Sequence, residues 1–164
     1  MKKSILAFAG DLFWHKKKTI KQLQGGILIM EIQKTLTVSL KSFSYKRGIP
    51  YDASGNGGGY VFDCRALNNP GQYDEYKNLT GKDKEVEGFL LKKSRVLTFL
   101  DFAKTLVTLS IQEYTRLGYS HLEVDFGCTG GQHRSVYCVE AMAKFLNENF
   151  PQVNIEVKHL ELEK

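Results

Sequence analysis

The run His121-Leu122-Glu123-Val124-Asp125-Phe126 leads straight into GCTGGQHRSVY, residues 127–137, and this junction decides how the chain is read. Apolar residues alternate through the first part as in a strand, and an amphipathic stretch from Arg134 to Asn149 follows the glycines. A glycine-rich turn between strand and helix leaves backbone N–H groups aimed into a concavity. The helix dipole adds to that positive field, typically by ~0.3–1 kcal/mol. Thr129, His133, Arg134 and Ser135 place further donors at the same spot. Such a nest attracts phosphate or carboxylate.

Working outward, Pro151 stops the helix, and Val153, Ile155 and Val157 alternate into a final strand. Upstream, Val96, Leu97, Leu100, Ala103, Leu106, Val107, Ile111 and Tyr114 predict a long amphipathic helix over 94–117, closed by Gly118. Val86, Phe89 and Leu90 predict a shorter helix before it. Leu36, Val38 and Leu40 predict a strand ending near Tyr45, and Tyr60 to Arg65 reads as a second, buried strand. Between these strands lie the break Lys46-Arg47-Gly48-Ile49-Pro50 and a glycine cluster near 55–59. The later α-β-α-β order predicts an α/β fold: a mixed or mostly parallel sheet with crossover helices, and the glycine-rich anion-binding loop between a strand and a helix.

The chain has 164 residues, enough for one well-buried core. Its formal net charge is +5, but residues 1–30 hold six lysines against one acid, so the whole excess lies there. Residues 1–33 therefore read as a separate basic extension, disordered or from a non-native start, and 34–164 as the functional domain. A neutral domain has no overall field to draw nucleic acid. Cys64, Cys128 and Cys138 form neither a disulfide framework nor a CxxC zinc site, which points to a reducing cytoplasm. No run approaches the ~20 apolar residues of a membrane span. His15, His121 and His159 have no neighbours at metal-ligand spacing, so no metal and no cofactor is expected.

Several stretches in register resemble the C-terminal domain of the RNase adapter protein RapZ, a bacterial family. They are Ser42 to Pro50, Val61 to Arg65, Asn69-Pro70, Leu79 to Asp83, and Gly127 to Tyr137, spread over roughly residues 34–160. The resemblance implies a regulatory domain that binds a phosphorylated amino sugar, glucosamine-6-phosphate, and in some members small RNAs. It implies that Thr129, Gly130, Gly131, Gln132, His133, Arg134 and Ser135 hold the phosphate, with Asp63, Arg65 and Asn69 on the opposite wall. Homo-oligomers and a protein partner carrying a kinase-like module are also implied. Full-length members begin with a P-loop module, whereas no GxxxxGK[ST] occurs in this sequence. Gly71 stands where the family often has a histidine. The closing residues 156–164 hold three glutamates, unlike the basic tail of RNA-binding members, and like charge repels a phosphate backbone.

The same loop also matches the cysteine-phosphatase signature Cys-x5-Arg, with Cys128 as nucleophile, Arg134 as clamp and Ser135 assisting. Such an enzyme needs a general acid, and Asp63 and Asp74 are nominal candidates. The histidine that usually precedes the cysteine is Gly127 here, and no Trp-Pro-Asp type acid loop is visible. The sequence is therefore read as a non-catalytic module for a small phosphorylated metabolite. Cysteine-dependent phosphatase and small-RNA adapter stand as alternatives, and Lys46 and Arg47 as a second anion contact.

Overall fold

The computed structural model describes residues 35–55 and 58–163. The extension expected over residues 1–33 lies outside them. Among the described residues the strands are β1 (Thr37–Ser44), β2 (Gly59–Asp63), β3 (His121–Cys128) and β4 (Asn154–His159). The α-helices are α1 (Lys84–Lys93), α2 (Val96–Leu117) and α3 (Arg134–Asn149). One sheet results, in the order β2-β3-β1-β4. Every pairing in it is parallel, with Val38 opposite Leu122 and Ser44 opposite Cys128. The fold is α/β, and the sheet is wholly parallel where the sequence left mixed pairing open.

Alternation along the strands sorts the two faces. Val38, Leu40, Leu122, Val124 and Phe126 join α2 (Leu100, Ala103, Val107, Ile111) and α3 (Val139, Met142, Leu146) in one core. Right-handed crossovers explain why the helices share that face: β2 to β3 and β3 to β4 move the same way across the sheet. The β1-to-β2 connection moves the opposite way and runs over the other face, where Asp52 approaches His121 at 3.6 Å. That face is polar yet buried around Ser39, Glu123 and Asp125. Lys41 pairs with Glu123 there, and Asp125 Oδ1 has no hydrogen-bond partner. His121, Asp52 and Glu123 bring ligand-type atoms within 4.8 Å of one another, a grouping that sequence spacing does not reveal.

Two boundaries differ from the sequence reading. The second strand ends at Asp63, not Arg65, because the Asp63 carboxylate accepts the Arg65 N–H at 2.8 Å and turns the chain into a single 3-10 turn, Cys64–Ala66. Two more such turns, Pro70–Gln72 and Asp74–Tyr76, occupy what read as a plain loop. The long helix begins at Val96 and is closed by Gly118 at φ 75°, a left-handed conformation that suits glycine. No helix among the described residues is long and apolar enough to cross a membrane.

Candidate anion site at the strand ends

Ligands of open α/β sheets bind outside the carboxyl ends of the strands, and the loop 129–133 lies there. Ser44, closing β1, sits beside Cys128, closing β3. Its hydroxyl donates to the Thr129 carbonyl at 2.7 Å and accepts the Lys46 N–H at 3.2 Å, fixing where both strands let go. Gly131 has φ 68°, and a Cβ on it would lie 2.5 Å from Glu161 Cγ and 2.9 Å from the Ser44 nitrogen. Only glycine lets the loop turn this close to β1. Gln132 ties the loop to a neighbouring segment, its amide donating to the Lys77 and Leu79 carbonyls at 2.9 and 2.7 Å. The Gly81 N–H answers by donating to the Gln132 carbonyl at 2.9 Å.

These contacts frame a cavity of about 200 Å³ lined by Lys46, Asn69, Gly71, Cys128, Thr129, Gly130, Gln132, His133 and Arg134. Among the described residues no carboxyl group lines it. Among the described residues the N–H groups of Thr129, Gly130, Gln132 and His133 donate to no protein acceptor. His133 is buried, and its Nε2 donates to the Tyr76 carbonyl at 2.8 Å, which leaves Nδ1 on the side of Gly71. Asn69 caps the Pro70–Gln72 turn through Oδ1, and Gly71 accepts no side chain without pressing on His133 Cε1 at 3.3 Å.

Arg134 is the feature that needs explaining. It is 4% exposed. One terminal nitrogen donates to the Arg65 and Leu67 carbonyls at 3.1 and 2.9 Å, and the other reaches Thr129 Oγ1 at 3.4 Å. Its Nε has no partner. Arg134 forms no ion pair with a carboxylate among the described residues, and a buried charge without a counter-charge is costly.

Beneath the cavity, Cys128 Sγ accepts the Gly131 N–H at 3.2 Å and lies 3.2 Å from Ser135 Oγ. Burial alone would raise this thiol. The Ser135 hydroxyl and N–H, the Arg134 charge and the Gly131 N–H outweigh burial and bring it below its ordinary value. Ser135 itself is fully buried and faces the sulfur rather than the cavity.

The remaining sequence-predicted residues lie elsewhere. Asp63 and Arg65 grip each other through bonds of 2.6–3.0 Å, and Arg65 lies 4.0 Å over the Tyr45 ring. Bonding from the Arg65 side chain holds the Asp63 carboxyl below its usual value, and the Arg134 charge adds to this. Neither residue lines the cavity. Lys46 lines the same cavity as Arg134 rather than a second site, whereas Arg47 points to Glu161 at 4.0 Å. Asp74 is solvent-exposed and paired with Lys77. Sequence reasoning passed over Gly81, whose hydrogen in place of a Cβ lets the 80–83 turn touch the His133 carbonyl and Tyr137 nitrogen. Its position in the quoted Leu79–Asp83 stretch was the available signal.

The model of the RapZ C-terminal domain matches residues 36–163. A nucleotide-binding protein of Thermosipho melanesiensis is 39% identical over 122 residues, covering 74% of this chain and 42% of that protein. A nucleotide-binding protein of Bacillus thuringiensis is 37% identical over 149 residues, covering 91% of this chain and 48% of that protein. A Bacillus cereus protein with the same description matches to the same extent. The chain thus spans about half the length of the curated relatives it matches, or less.

Proposed function

The chain belongs to the RapZ C-terminal domain family, and from that premise we propose that the cavity binds the phosphoryl group of a small metabolite, a sugar phosphate such as glucosamine-6-phosphate, without catalysing a reaction on it. The observation that carries this reading is Arg134: a buried guanidinium with an unpartnered Nε and no carboxylate. A phosphate in the cavity that Arg134 lines would supply the missing counter-charge. The unpaired N–H groups of the loop and Lys46 complete the set of donors. Asn69 reads a hydroxyl or amino group of the sugar.

Size favours this ligand class over the nucleotide in the relatives' names. A cavity of about 200 Å³ falls below the roughly 300–1,000 Å³ typical of drug-sized ligands. The lack of a lining carboxyl supports binding without turnover, since ester cleavage requires a group to protonate the leaving oxygen. RNA binding has weaker support, because the lining cations Lys46 and Arg134 gather at one small cavity rather than along an open basic track.

The test is thermal stabilisation by glucosamine-6-phosphate, with glucosamine and inorganic phosphate as comparisons. Glucosamine-6-phosphate should raise the melting temperature, phosphate less, and glucosamine not at all. Arg134→Ala should abolish the effect. Because Arg134 also holds two carbonyls, Arg134→Lys serves as a companion that keeps the charge and loses the fork. Unchanged stabilisation in both variants refutes the proposal.

A further inference from the structure

The phosphatase-like signature has its nucleophile in place, and among the described residues no carboxylic acid lines the cavity beside it. Cys128 Sγ lies at the cavity floor, where α3 begins, receiving the Gly131 N–H at 3.2 Å and facing Ser135 Oγ at 3.2 Å. Arg134, buried and with its Nε unpartnered among the described residues, lines the same cavity. These groups favour a thiolate over a thiol, in accord with the downward shift of its titration. The other two cysteines lack this setting. Cys64 and Cys138 are fully buried, Cys64 Sγ donates to the Phe62 carbonyl at 3.9 Å, and burial pushes Cys64 well up.

A thiolate without a nearby carboxylic acid is poorly equipped to cleave an alkyl phosphate ester. It remains a nucleophile toward an electrophile with a weak bond of its own. From the cradle geometry we infer that Cys128 is a covalent modification site for hydrogen peroxide, and that the oxygen it acquires blocks the anion site. The sulfur electron pair forms the S–O bond as the O–O bond breaks. The departing oxygen leaves as hydroxide and takes a proton from solvent to become water. Sulfur is oxidised by two electrons and the peroxide reduced by two. The new oxygen projects from the floor into the ring of N–H groups and takes the place of a phosphate oxygen. This inference rests on reading the cavity as an anion site.

The experiment uses the full chain, treated with graded hydrogen peroxide, trapped with dimedone and mapped by peptide mass. The label should fall on Cys128 and leave Cys64 and Cys138 unmodified. Saturating glucosamine-6-phosphate should slow labelling at least tenfold. Oxidised protein should lose its thermal stabilisation by that compound, and dithiothreitol should restore it. Labelling confined to Cys64 or Cys138, or no labelling, overturns the inference. So does oxidised protein that keeps its stabilisation. If the reduced chain is not stabilised at all, the anion-site reading falls first, and the blocking step falls with it whatever the label shows. Because wild-type protein is mapped directly, no variant need fold.

Discussion

Replacing Asp125 by asparagine should make the stability of this domain almost independent of pH between about 4 and 8. Asp125 lies on the polar face of the sheet and is 3% exposed. Burial first, then the charge and hydrogen bond of Glu123 and the charge of Asp52, push its carboxyl from the ordinary 3.8 up to about 8, against the opposing pull of Lys41. The folded chain therefore holds a proton, shared within the Asp125–Glu123 pair, that the unfolded chain releases near pH 4. Stability from this proton is complete below the unfolded value and is lost as pH rises toward the folded one. The slope is about 1.4 kcal/mol per pH unit. Over the interval from 3.8 to about 8 the loss reaches a ceiling of about 6 kcal/mol, comparable to the whole stability of many domains. Asparagine cannot lose the proton, and its amide can donate to Glu123 in place of the acid O–H. Urea unfolding at pH 5, 6, 7 and 8 should give wild-type free energies that fall steadily and variant values that stay level. The gap between the two proteins should widen by several kcal/mol from pH 5 to pH 8. Parallel slopes would refute the reasoning, because they would mean that Asp125 is ionised in the folded protein throughout.

Two further outcomes concern the loop itself. Gly131→Ala should cost more than ~2 kcal/mol in chemical denaturation, combining left-handed backbone strain with overpacking against β1, since its Cβ would meet Glu161, Ser44 and Phe43. Gly130→Ala should stay within about 0.5 kcal/mol of wild type, because nothing lies within 4 Å of that Cβ; equal losses at both positions would contradict the described turn. Glucosamine-6-phosphate should be bound without release of inorganic phosphate, and a release rate that disappears in Cys128→Ser would reinstate the phosphatase reading.

What the sequence disclosed and what it withheld follow from range. Periodicity and punctuation are local, so β3, the glycine loop and α3 were readable from residues 121–149 alone, as was the end of α2 at Gly118. The same locality made Arg65 look like strand, because the Asp63 carboxylate that bends the chain there acts through a side-chain contact. Sheet order is set by which strands pair across long separations, and no alternation pattern encodes it. The cavity residues divide likewise. Thr129 to Arg134 are contiguous and announce themselves, whereas Lys46, Asn69 and Gly71 reach the cavity from distant turns and were visible chiefly through family resemblance. The cluster of Lys41, Asp52, His121, Glu123 and Asp125 gave no sign at all. Its members come from three separate segments: parallel register sets Lys41 opposite Asp125, and the β1-to-β2 connection brings Asp52 to His121.

The two hydrogen bonds that the Gln132 amide donates to the carbonyls of Lys77 and Leu79, answered by the one from the Gly81 N–H to the Gln132 carbonyl, have an implication for protein engineers. Residues 127–137 look like a portable cassette, yet part of their bracing comes from a stretch about fifty positions upstream in the chain. Grafted alone onto another strand–helix junction, the hendecapeptide would arrive without its brace. A transplant that hopes to keep the grip must carry the 77–83 segment with it.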